Sequence, residues 1–105
     1  MSAVVDARTV ELGCEPLAAD QVVEGDVRIG HLRLGEGYGV WEHSVGVSTD
    51  VEADEVFTVL AGRATVAFDD GRVLELAPGV VAELHAGERT TWTVTETLRK
   101  VYVLR

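Results

Sequence analysis

The chain has one cysteine, Cys14, so no disulfide can form within it. No His/Asn partner motif accompanies that residue, which reads as a lone structural or surface thiol. The N-terminal stretch MSAVVDARTVELG lacks the charged-then-apolar pattern of a leader, and with the sparse cysteine it sets a reducing cytoplasm as the expectation. No apolar run approaches the roughly 18 residues that cross a bilayer, so no membrane partner is expected. Basic residues are scarce: 9 Lys and Arg stand against 18 Asp and Glu, a formal net charge of −9. That balance excludes a nucleic-acid partner, because binding a phosphate backbone requires basic patches that displace its counterions. Between Leu34 and Gly62 there is no Lys or Arg, but there are six carboxylates, Glu36, Glu42, Asp50, Glu52, Asp54 and Glu55. Most of these read as a solvated acidic surface. Lys100 is the only lysine, and it falls inside an apolar stretch.

Helical periodicity is also missing. What is present instead is β-branched: nineteen valines in 105 residues, which suit pleated, half-buried strands. Turn signals recur at Gly35, Gly37 and Gly39, at Asp70–Gly71, at Pro78–Gly79 and at Ala86–Gly87. Between them the expected strands are 27–34, 38–46, 54–61, 63–68, 72–76, 80–85, 90–95 and 98–104. Residues 10–21, interrupted by Pro16, read as loop. Eight short strands at roughly ten-residue spacing predict one all-β domain, a sandwich or closed barrel. Residues 26–105 form the barrel in this reading. Residues 1–25 are an extension packed on it or supplying an edge strand. The glycine run at 35–39 has no helix after it, so it is not a phosphate cradle.

Alternation places Glu55, Phe57 and Val59 on one side of a strand, Trp92, Val94 and Glu96 on one side of another, and Lys100, Tyr102 and Leu104 on one side of the last. Each set mixes apolar residues with a polar group, as a pocket wall does.

The stretch EVFTVLAGRATVAFDDGRVLELAPG resembles the cupin superfamily, whose fold is a double-stranded β-helix or jelly-roll barrel with a ligand site inside. Glu55 and Gly62 stand at the spacing of the glutamate and closing glycine of the first cupin motif, and Gly79 and Gly87 match the two glycines of the second. Within the superfamily the chain is similar to the small ureidoglycine-aminohydrolase-type and EutQ-type domains. The matching pieces are GVW at 39–41, DEVFTVLAGR at 54–63, TTW at 90–92 and ETLRKVYVL at 96–104, which are spread over about two thirds of the chain. The resemblance implies four metal ligands. Only Glu55 of these is present: Ser48, Thr49, Asp50, Val51 and Glu52 occupy the segment that would carry two histidines, Thr90 stands where the third would fall, and His85 replaces a proline. A lone carboxylate is not a tight transition-metal site.

These departures leave a set of candidate residues. Glu55, Lys100 and His43 are the candidate acid, base or charge-pairing groups, with Lys100 and Glu55 expected to meet inside the barrel because an interior lysine needs a carboxylate partner. Trp41, Phe57, Trp92 and Tyr102 are candidates for an aromatic lining, and Thr90 for a ligand hydrogen bond. His31 reads as surface or dimer contact. The expected function is binding of a small polar or anionic metabolite without a tightly bound metal. The alternatives are acid–base chemistry of the amidohydrolase or isomerase kind, with a divalent Mn, Fe, Ni or Zn ion on His43, Glu55 and His85 as its atypical form, and a structural homodimer.

Overall fold

The computed structural model describes residues 4–105. Every strand pairing in it is antiparallel. The strands are β1 (Glu15–Pro16), β2 (Val22–Glu24), β3 (Arg28–Gly35), β4 (Tyr38–His43), β5 (Gly46–Val51), β6 (Glu55–Phe68), β7 (Val73–Leu76), β8 (Val81–Leu84) and β9 (Arg89–Leu104), with a single 3-10 turn at Ala19–Gln21.

Two long strands organise the rest. β6 and β9 run side by side for nearly their whole length. The first half of β9 also pairs with β5, and its second half with β4. The first half of β6 also pairs with β8, and its second half with β7. Each long strand therefore belongs to two sheet halves at once. The halves curl over a core of Phe57, Val59, Ala64, Val66, Phe68, Leu76, Leu84, Trp92, Val94, Leu98 and Tyr102. This is the all-β barrel expected from the sequence.

Several boundaries differ from expectation. The expected strands 54–61 and 63–68 are one strand, because Gly62 bends β6 without ending it. Its φ of +93° is open to glycine, and the register between β6 and β9 shifts on both sides of it. The expected strands 90–95 and 98–104 are likewise one. The expected 38–46 strand stops at His43, and a further strand, β5, occupies 46–51. The expected loop at 10–21 holds β1, whose Pro16 lies at the sheet edge where a missing N–H costs little. β1 pairs with β3, and β2 with β5.

A side chain at Gly62 has no room: a Cβ there would lie 2.1 Å from the Thr97 carbonyl oxygen and 2.7 Å from that of Glu96. Gly62→Ala is expected to destabilise the chain by about 3 kcal/mol, from backbone strain plus displacement of β9. Urea unfolding measures this, and an unchanged midpoint would show that the bend relaxes freely.

Candidate functional site

The inward positions of β4, β5, β6 and β9 converge at one end of the barrel on a cavity of about 350 Å³. Strand alternation decides who lines it. Trp41 and His43 point inward from β4, Ser48 from β5, Glu55 from β6, and Trp92, Lys100 and Tyr102 from β9. Gln21, from the 3-10 turn, and His31, Thr49, Asp50 and Glu52 add further polar groups to the lining.

Lys100 is the centre of this arrangement. It is 4% exposed, and its Nζ donates to Glu55 Oε2 at 2.6 Å. The same nitrogen lies 4.3 Å from the Phe57 ring centroid, 4.4 Å from that of Trp41 and 5.0 Å from that of Trp92. A buried ammonium loses its hydration, and here one carboxylate and three aromatic faces replace it.

His43 is 1% exposed. Its Nδ1 lies 2.6 Å from the Ser44 carbonyl oxygen and its Nε2 2.8 Å from Ser48 Oγ. Burial pushes the imidazole below its ordinary value. The nearby Lys100 charge acts in the same direction, while the Ser44 bond opposes it. Glu52 accepts from Thr90 Oγ1 at 2.5 Å and from Trp92 Nε1 at 3.0 Å. Burial raises its carboxyl above the ordinary value, and those two bonds hold it back. Burial, then the Glu55 charge, also raises the Tyr102 phenol.

The structure thus brings together Glu55, Lys100, His43, Trp41, Trp92 and Tyr102. Phe57 lies in the core beneath Lys100 and does not line the cavity. Thr90 faces an adjacent cleft and reaches the cavity only through Glu52 and Trp92. His85 is exposed on the surface, 3.3 Å from Glu83, and is not part of the cavity. The trio His43, Glu55 and His85 therefore does not assemble, and no group of three or more His, Cys, Asp or Glu suited to a metal is found among the described residues. The donors also do not fit such an ion. Both His43 nitrogens are engaged, and the bonded Glu55 oxygen faces an ammonium. His31 is exposed, as expected, and also borders the cavity beside Tyr102, with ring centroids 6.0 Å apart.

Sequence reasoning missed Ser48, Asp50 and Glu52 as lining residues. Their two-residue spacing was the available signal, visible only once 46–51 is recognised as a strand.

The EutQ-like cupin domain family model matches residues 35–102. No curated protein matches the chain. Among solved structures, the EutQ protein of Clostridium difficile is similar at a TM-score of 0.67 and 19% identity, over 86% of this chain and 79% of that one. A protein of unknown function from Pseudomonas syringae pv. tomato has a TM-score of 0.80 and 20% identity over 93% of this chain, which spans 46% of that protein. A DUF861 family protein from Thermotoga maritima has a TM-score of 0.61 and 26% identity, over 75% of this chain and 99% of its own. No helix among the described residues is long and apolar enough to cross a membrane.

Two outcomes follow from this geometry. Lys100→Met and Glu55→Leu each leave a buried charge without its partner and are expected to cost about 3–5 kcal/mol. The double variant should lose much less than the sum. Urea unfolding of all four proteins measures the coupling, and simple additivity would show that the pair contributes nothing.

The second concerns pH. The folded His43 imidazole titrates below its ordinary 6.5, so the unfolded chain takes up this proton first and stability falls as pH drops below that value. Glu52 has the opposite sign: its stabilisation is present below its ordinary 4.5 and is lost as pH rises through the raised folded value. Melting temperatures of wild type and His43→Gln between about pH 7 and pH 5 separate the two, since the variant should lose less on acidification. Parallel curves would refute the assignment to His43.

Proposed function

The chain belongs to the EutQ-like cupin domain family, and we propose that its cup binds a small polar metabolite, uncharged or amine-bearing, without a resident metal ion. The observation that carries this reading is the Lys100–Glu55 pair on the wall of the cavity, which puts an internal ammonium against the one family carboxylate a metal would need. Glu55 is thereby committed to a partner within the chain.

Charge balance selects among ligands. Three carboxylates, Asp50, Glu52 and Glu55, line the cavity against Lys100, its only Lys or Arg. Glu55 already offsets Lys100, so an anion would meet unbalanced negative charge. This disfavours the anionic half of the sequence-based expectation. The indole faces of Trp41 and Trp92 hold the ligand's carbon skeleton, and Gln21, Ser48, Thr49 and Tyr102 supply neutral hydrogen-bonding groups.

The test uses three probes of one carbon skeleton: alaninamide (cationic), lactamide (neutral) and lactate (anionic). Alaninamide or lactamide at millimolar concentration is expected to raise the melting temperature, as any ligand preferring the folded state does. Trp41→Ala should abolish the rise. Stabilisation by lactate alone would overturn the charge argument, and stoichiometric Mn, Fe, Ni or Zn in the purified protein would overturn the metal-free reading.

A further inference from the structure

Two side chains of the cup are bonded to each other in a way that holding a ligand does not require. A carbonyl oxygen can only accept, so the 2.6 Å contact from His43 Nδ1 to the Ser44 carbonyl places the ring proton on Nδ1. The neutral ring then presents a bare lone pair at Nε2, and Ser48 Oγ, 2.8 Å away, donates its proton to it. Hydroxyl, imidazole and fixed acceptor stand in the order that acyl-transfer sites use, with a main-chain carbonyl in the place of the orienting carboxylate.

Three further features support a chemical role. Ser48 and His43 are both cavity-lining although 4% and 1% exposed, so the pair meets the outside only through the cup. Strands β4 and β5 each pair with β9 and not with each other, so the His43–Ser48 bond spans the gap between two strands on a rigid frame. Burial and the Lys100 charge both favour the unprotonated ring, the form that can act as a base.

We propose that Ser48 is a nucleophile for acyl transfer from small esters that enter the cup, with His43 as its base. Ser48 Oγ bonds to the ester carbonyl carbon while its proton passes to His43 Nε2. The tetrahedral intermediate collapses, the bond to the alcohol oxygen breaks, and His43 returns the proton to that leaving oxygen. Water, deprotonated by the same nitrogen, then attacks the acyl-serine, releasing a carboxylic acid and restoring Ser48.

This rests on the reading that the cup admits small polar molecules, and it is tested by covalent chemistry so that the two can fail separately. The full chain is treated with p-nitrophenyl acetate, nitrophenolate release is followed in the first turnover, and the acetylated peptide is mapped by mass spectrometry. A burst of one nitrophenolate per chain with the acetyl group on Ser48 is expected, at least tenfold slower in His43→Gln and absent from that position in Ser48→Ala. Ser48→Cys keeps the test decisive should the alanine variant not fold, because its sulfur should take the acetyl group. An acetyl group found only on Lys100, Tyr102 or Cys14, or none at all, overturns the proposal. If lactamide still raises the melting temperature in that case, the binding reading survives without it.

Discussion

One desolvated ammonium sets the terms for the whole cup. Lys100 sits in the wall of an apolar barrel, where an unpaired charge is among the most expensive things a protein can bury. The surrounding residues answer that requirement in three ways: a 2.6 Å bond to Glu55, three aromatic faces within 5.0 Å, and an edge on the cavity, where a polar ligand or water can approach. Each answer has a consequence elsewhere. Glu55 is withdrawn from metal coordination. Trp41 and Trp92 are held against each other with centroids 5.5 Å apart. Burial, with the Lys100 charge acting in the same direction, holds the His43 imidazole below its ordinary value.

The convergence needs long strands. Residues 41, 43, 48, 55, 92 and 100 come from four strands, and only β9 touches the other three. Because β9 continues through the bend opposite Gly62, Trp92 and Lys100 belong to one strand yet pack in two sheet halves. A barrel assembled from separate short strands would have to position them independently. Continuity makes their spacing a property of one chain segment.

Much of this was legible in the sequence. Turn chemistry at Asp70–Gly71, Pro78–Gly79 and Ala86–Gly87 located the β6–β7 hairpin and the β7–β8 and β8–β9 connections, and each of those glycines has a positive φ. Two-residue alternation, with the rule that an interior lysine needs a carboxylate, anticipated the meeting of Glu55 with Lys100 across 45 positions. The errors share a cause. Gly62 reads as a terminator, but glycine permits a bend inside a strand as readily as an end to one, and local pattern does not distinguish them. The segment VSTDVE is polar at alternate positions, which looks like loop when its polar face is taken to be solvent. It is a strand because that polar face is turned into a cavity.

The neighbouring residue shows why the interior cation is a lysine. Adjacent positions on a strand face opposite ways, so Arg99 lies on the outer surface of β9 directly behind Lys100. Its guanidinium bonds Glu42 Oε1 at 3.1 and 2.9 Å and the carbonyls of Ala7 and Val10 at 3.0 and 2.8 Å. Cys14 Sγ donates to the other Glu42 oxygen at 3.3 Å. A planar fork with five donors can join a carboxylate and two backbone carbonyls at once, and so ties the N-terminal segment to the barrel. Around the Lys100 head no such set of acceptors is bonded: it meets one carboxylate oxygen, of Glu55, and three aromatic faces. A compact ammonium on a flexible stem suits that enclosure, whereas the additional guanidinium N–H groups would remain unsatisfied there. Strand β4 mirrors the arrangement, with Trp41 inward beside Lys100 and Glu42 outward beside Arg99. Strand β9 therefore carries two charge pairs on opposite faces: Arg99 with Glu42 of β4 closes the barrel from outside, and Lys100 with Glu55 of β6 furnishes the cup within.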